Sequence, residues 1–167
     1  EFIIPGLWDA HVHFYFDTFL ANYMPDLFLK FGVTSVRDTG GEFEFLDSIK
    51  KLSIEFPKSY PRIKIAGPLI DGKYNVYNGQ NLPELSIQTK DVNETSNATK
   101  ELISKGVDFL KAYEMLSPLQ YEEVLSIAKK NNLRVAGHVP LSMDIITASK
   151  LGLSSLEPVS YTHLTLP

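Results

Sequence analysis

The strongest constraint on the fold is an alternation along the whole chain, in which short apolar, β-branched runs are separated by longer amphipathic stretches. The runs lie at 8–12, 33–37, 62–66, 107–112, 133–137 and 153–157, each with the length and composition of a buried strand. The stretches at 17–31, 42–56, 91–105, 117–130 and 143–151 read as helices. In the first of these, Phe19, Leu20, Tyr23, Leu27, Phe28 and Phe31 recur at helical spacing, with Pro25 restarting or kinking the helix. Ser117-Pro118-Leu119-Gln120 is a helix start: an N-cap, a proline at the first helical position and a capping-box glutamine. Gly32, Gly106 and Gly152 stand where helices stop. Such a pattern predicts parallel βα units around a sheet buried on both faces. The segment 71–88, with Tyr74, Asn75, Tyr77, Asn78 and Asn81, has no period and reads as one long loop, either a functional lid or disordered.

Two architectures satisfy this pattern, a doubly wound sheet and a (β/α)8 barrel. No Gly-x-Gly-x-x-Gly follows the first run, which weakens the nucleotide-binding sheet. Barrels carry their chemistry at the C-terminal ends of strands, and His11, His13, Lys111, His138 and Glu157 all stand at such ends. A whole barrel takes about 250 residues. The expected fold is therefore α/β, an incomplete (β/α)8 TIM-type barrel covering about strands 1 to 6.

Composition narrows the function classes. The chain is 44% hydrophobic and 22% charged with a net charge of −4, the balance of an ordinary globular protein. No apolar run approaches the roughly 20 residues of a membrane span, and no basic stretch forms a nucleic-acid face. Cysteine is absent. Any metal site must then use histidine, carboxylate or a modified side chain. Asn93-Glu94-Thr95 and Asn97-Ala98-Thr99 fit the glycosylation pattern and read as surface polar residues.

The first run ends in Asp9-Ala10-His11-Val12-His13. In a strand His11 and His13 point to one face, about 7 Å apart along the backbone, and can share a first-row metal. Asp9 has the same parity and is expected to join them or to orient one ring. Arg37 and Asp38, at the end of the second run, read as a structural buried pair.

With these residues in view, the chain resembles the amidohydrolase superfamily, in its imidazolonepropionase-like and Xaa-Pro dipeptidase (prolidase) branch. Four segments carry the likeness: Pro5-Gly6-Leu7-Trp8-Asp9-Ala10-His11-Val12-His13, Gly32-Val33-Thr34-Ser35-Val36-Arg37-Asp38-Thr39-Gly40-Gly41, Gly106-Val107-Asp108-Phe109-Leu110-Lys111-Ala112-Tyr113 and Val135-Ala136-Gly137-His138-Val139-Pro140. The resemblance implies that His11 and His13 bind the more buried of two divalent metal ions, zinc by preference. It implies that Lys111 is a carboxylated lysine bridging both ions, and that His138 binds the second. It further implies hydrolysis of an amide or peptide C–N bond, in an N-acyl amino acid or a dipeptide, by a hydroxide shared between the metals. Tyr113 is a candidate substrate contact.

The pattern breaks near the C-terminus. The family places a metal-binding histidine directly after Glu157 and a proton-shuttling aspartate after the eighth strand, whereas Pro158 follows Glu157 here. Residues 158–167 have no βα character and read as a non-native tail, leaving 1–157 as a partial barrel domain. Both ends look cut, so the chain reads as a fragment of a longer enzyme, inactive on its own, and cytoplasmic and exported locations both stay open. The alternatives are a catalytically inactive metal-binding or structural remnant, and a related metal-dependent hydrolase acting on another ester or ring amide. The scarcity of Arg and Lys at strand ends, Arg37 apart, argues against a phosphate ester. Expected partners are a small amide or peptide substrate, with no nucleic acid and no membrane segment; a homo-oligomer of the parent protein is left open.

Overall fold

The computed structural model describes residues 2–157. The expected foreign tail at 158–167 lies outside the described residues. In chain order the elements are β1 (Leu7–Val12), α1 (Met24–Lys30), β2 (Val33–Asp38), α2 (Phe43–Glu55), β3 (Arg62–Ile65), β4 (Leu69–Asp71), β5 (Ser86–Gln88), α3 (Val92–Lys105), β6 (Leu110–Ala112), α4 (Pro118–Lys130), β7 (Val135–Gly137), α5 (Ile145–Leu151) and β8 (Ser155–Leu156). Every strand pairing among the described residues is parallel. No helix among them is long and apolar enough to cross a membrane.

The strands form two sheets, in the orders β1-β2-β3 and β5-β4-β6-β7-β8. The sheets adjoin: Ala66 N–H donates to Asp38 O at 3.1 Å, and Asp108 N–H donates to Ile65 O at 2.9 Å. The third apolar run is therefore split. Its first part pairs with β2 and its continuation, β4, pairs with β6. Gly67 (φ +70°) and Pro68 lie between the two parts, and a left-handed residue followed by one without an N–H cannot carry a ladder through. β1, β2 and β3, and then β4, β6, β7 and β8, follow one another in sequence order, while β5 pairs with the other edge of β4.

Helix ends follow their capping chemistry. The Asp91 side chain accepts from the Asn93 and Glu94 amides to open α3, and Gly106 closes it in the left-handed conformation. The expected Ser117–Gln120 capping box opens α4. Leu102, Leu110, Tyr121, Val124 and Val135 share one buried cluster joining α3 and α4 to β6 and β7. Val12, Phe14, Val36, Leu46, Ile49 and Ile63 form a second between β1, β2, β3 and α2. Each fully buried large apolar side chain contributes about 1.5–3 kcal/mol.

Two expectations are corrected. The stretch 17–31 is not one helix; 3-10 turns at Phe14–Phe16 and Leu20–Asn22 precede the seven-residue α1. The Asp17 carboxylate takes the Phe19 and Leu20 amides into a local turn, and Pro25 stands in the first turn of α1, where it starts the helix as one of its two expected roles. The segment 71–88 also holds more than a loop, since it begins at the end of β4 and contains β5. Three-residue strands are too short to show alternation. The loop between them is tied by the buried Asp71, which accepts the amides of Gly72 (2.9 Å), Val76 (3.0 Å) and Met115 (2.8 Å).

Candidate metal centre

Because the strands are parallel and feed into the same rim, residues from β1, β6, β7 and β8 converge at their C-terminal ends. His11, His13, Lys111, Tyr113, His138 and Glu157 line one cavity of about 430 Å3, with Leu69 and Tyr77 on its wall. All the ligands expected from the sequence are thus brought to one place.

Strand alternation turns His11 and His13 toward each other, with their Nε2 atoms 3.2 Å apart. The opposite nitrogen of each ring faces an acceptor. His13 Nδ1 lies 2.9 Å from the Gly40 carbonyl, and His11 Nδ1 lies 2.9 Å from Glu157 Oε2. With Nδ1–H donating in both rings, both Nε2 atoms present lone pairs to one space. Burial, more than the neighbouring His11 and Lys111 charges, lowers the His13 pKa, while its bond to Gly40 opposes the shift.

Lys111 is the centre of β6 and is 1% exposed. Its Nζ has no hydrogen-bond partner among the described residues. Burial pushes its pKa down to about 7, with Glu157 opposing and Arg37 assisting. A large share of the population is then free amine at neutral pH, the form that adds to carbon dioxide. His138 follows β7, where Gly137 is required because a Cβ there would meet the Ala112 carbonyl oxygen at 2.5 Å. The His138 ring stacks 4.3 Å from that of Tyr113 and its Nδ1 is buried without a partner among the described residues. Burial, reinforced by Lys111 and His11, takes its pKa down to about 3, so the ring is neutral and its lone pair available. Tyr113 sits between His138 and Tyr77, and burial raises its phenol above the ordinary value, keeping it a hydrogen-bond donor.

Glu157 is the residue whose role sequence reading left unassigned. Its side chain is 4% exposed and accepts from Arg37 Nη2 at 2.6 Å and Ser155 Oγ at 2.7 Å, besides facing His11. Burial alone would raise its pKa; His11, Ser155, Lys111 and Arg37 outweigh burial and take it down to about 2. Two expectations fail here. Asp9 accepts the backbone N–H of His11 at 3.1 Å, a turn-like contact, and it is Glu157 that meets the ring. Arg37 does not pair with Asp38, which is fully buried and accepts the amides of Phe14 (2.7 Å) and Gly40 (3.0 Å). Burial raises Asp38 to about 7 against those two bonds. No local pattern announces the Gly40 carbonyl, Asp38 or Asp71 as supports, since each has a partner far away in sequence: the His13 ring, the Phe14 amide and the Met115 amide.

The donor set fits a metal centre on one condition. Among the described residues no group of three or more His, Cys, Asp or Glu side chains is arranged to hold an ion. The set is completed only when Lys111 becomes an anionic oxygen donor. Three features favour that: the facing Nε2 lone pairs of His11 and His13, the unpartnered buried Nζ of Lys111, and the unpartnered Nδ1 of His138.

An α/β fold on parallel sheets, with its polar residues gathered at the C-terminal strand ends, defines the structural class. Among solved structures it is the fold of amidohydrolases and prolidases. A Xaa-Pro dipeptidase with methionine bound in its active site matches with a TM-score of 0.78 and 20% identity, over 94% of this chain and 48% of that one. The ochratoxinase of A. niger matches with a TM-score of 0.73 and 22% identity, over 94% and 48%. An amidohydrolase matches with a TM-score of 0.72 and 19% identity, over 91% and 47%. At such identities the likeness is one of fold, and the chain spans about half the length of these structures. No family model and no curated protein matches the sequence.

Proposed function

We propose that the described residues are the first six strands of a (β/α)8 barrel, with β3 and β4 counted as one broken strand and β5 as an addition. The activity belongs to the longer enzyme of which these residues are a part, hydrolysis of an amide or peptide C–N bond with two divalent metal ions, zinc by preference; the chain alone is expected to be inactive. The observation that carries the reading is the convergence of His11, His13, Lys111 and His138 on one cavity, with Lys111 Nζ buried and unpartnered. His11 and His13 would hold one ion through Nε2, His138 would hold the second, and a carbamate on Lys111 would bridge them. The two ions together supply a Lewis acid and a water ionised near neutral pH.

The chain's own residues have the remaining tasks. Glu157 and the Gly40 carbonyl keep the His11 and His13 rings in the tautomer that offers Nε2. Tyr113, protonated on the cavity wall beside His138, donates a hydrogen bond from its phenol to a substrate carbonyl or carboxylate. Leu69 and Tyr77 cover an apolar substituent. An N-acyl amino acid or dipeptide suits a cavity of about 430 Å3.

The test is zinc content and turnover, measured after loading with zinc and bicarbonate. About two zinc ions per chain, with a carbamate signal on Lys111 in carbon-13 spectra, supports the centre; zinc-dependent hydrolysis of dipeptides or N-acyl amino acids, abolished by His11→Ala, supports the activity. The alternative of a metal-binding remnant draws on the chain spanning only about half of the structures it matches. Stoichiometric zinc without turnover by this chain agrees with both readings, and turnover by a longer chain carrying the remaining strands separates them. No zinc above the His11→Ala background removes both.

A further inference from the structure

Arg37 makes a set of contacts that the metal-centre reading leaves unused. From β2 its Nε donates to Ala10 O at 2.8 Å, its Nη1 to Ser155 Oγ at 3.2 Å and its Nη2 to Glu157 Oε1 at 2.6 Å. Its guanidinium also lies 5.1 Å over the Phe109 ring. The head group is held by β1, by the β8 end and by an aromatic face at once, and its side chain is only 24% exposed. A planar fork with several fixed donors can do this; a single ammonium cannot.

We propose that Arg37 and Glu157 form a latch that sets the tautomer and direction of the His11 imidazole, making Arg37 a positioning residue for the metal centre. The assignment rests on the reading of that centre given above. The geometry divides the carboxylate between two tasks. Arg37 and Ser155 occupy Oε1, which leaves Oε2 facing His11 Nδ1 at 2.9 Å. Without Arg37, Ser155 Oγ alone holds Oε1, and a single contact fixes the Glu157 carboxylate, and with it the direction of Oε2, less firmly. Without an acceptor at Nδ1, a free imidazole favours the opposite tautomer, with hydrogen on Nε2, and that hydrogen would point into the 3.2 Å gap toward His13. Arg37 further holds the carbonyl of Ala10, the residue before His11, so backbone and ring are fixed from one side chain. The latch joins positions 146 residues apart, His11 and Glu157, through a third element. It makes the β1 ligand depend on β8 being seated.

The experiment uses the full chain and reads the metal-free and the zinc-bound protein separately. Nitrogen-15 spectra of the metal-free chain should show His11 with hydrogen on Nδ1, and Arg37→Met should move it to the Nε2–H form. Zinc affinity should fall 10- to 100-fold in Arg37→Met, with partial recovery in Arg37→Lys. Glu157→Gln should weaken zinc binding on its own but add little in the Arg37→Met background, because both act through one contact. Circular dichroism and urea midpoints identify variants that remain folded, and Arg37→Lys and Glu157→Gln carry the test if Arg37→Met does not fold. A folded variant that keeps the wild-type His11 tautomer, and binds zinc within twofold of wild type, overturns the latch. A wild-type chain that binds no zinc, yet whose tautomer shifts as stated, overturns the metal reading and leaves the latch standing.

Discussion

His13 Nδ1 and the Gly40 carbonyl oxygen lie 2.9 Å apart, joining the end of β1 to the loop after β2. Gly40 has no side chain, and a Cβ built on it would meet Leu69 Cδ2 at 2.8 Å and His13 Cε1 at 3.2 Å. The backbone approaches the ring closely enough to bond it only because that space is empty. Gly40→Ala should displace the ring and Leu69, destabilise the chain by about 1–3 kcal/mol, and weaken zinc binding. Calorimetric titration with zinc, beside urea denaturation, measures both effects; unchanged affinity would show that His13 needs no such support.

Lys111 sets function against stability. A buried polar group without a partner costs about 1–3 kcal/mol, and Lys111 Nζ is one. Lys111→Met, similar in shape and uncharged, should raise stability at pH 7.5 by that amount while abolishing bicarbonate-dependent zinc uptake. The sign of the pH dependence is explicit: folding lowers the lysine pKa from 10.5 to about 7, so its stabilising share is present above 10.5 and is lost as pH falls through 7. The advantage of the methionine variant should therefore grow between pH 9 and pH 6, read by urea midpoints.

Asp38 titrates in the opposite sense. Its folded pKa is raised from 3.8 to about 7, mainly by burial, so its stabilising share is full below 3.8 and lost as pH rises through 7. Asp38→Ala leaves the Phe14 and Gly40 amides without their acceptor and should cost about 2–5 kcal/mol. The gap to wild type should be wider at pH 5 than at pH 8. A gap that widens with pH would reverse the assignment.

Asp71 fastens the loop after β4 to the segment after β6 through the amides of Gly72, Val76 and Met115. Asp71→Ala should destabilise by about 3 kcal/mol and speed hydrogen exchange at those amides first. Exchange that rises uniformly across the chain would mean Asp71 supports the whole fold and not this junction.

The alternation of runs and amphipathic stretches made the parallel α/β class legible, because period and length are local properties of a strand or helix. The cap at Ser117 and the stops at Gly106 and Gly152 are equally local. His11, His13, Lys111 and His138 could be picked out as candidates from the sequence, and parallel topology gathers them round one cavity. The turns after Asp17, the division of the third run at Gly67-Pro68 and the three-residue β5 were not legible, since a few residues carry no period.

What the sequence determined by itself is the alternation of strands and longer helices and which histidine and lysine side chains stand in or beside the strands. What only the tertiary structure decided is the condition of those groups. Lys111 is shifted and unpartnered because β6 lies deep in the wall. His11 meets Glu157, not Asp9, because the packing of the chain brings the end of β8 next to β1. Arg37 turns away from Asp38 to reach Glu157, while the Asp38 carboxylate is taken by the Phe14 and Gly40 amides. Burial and long-range pairing depend on where every other element packs, and no local stretch of residues carries that information.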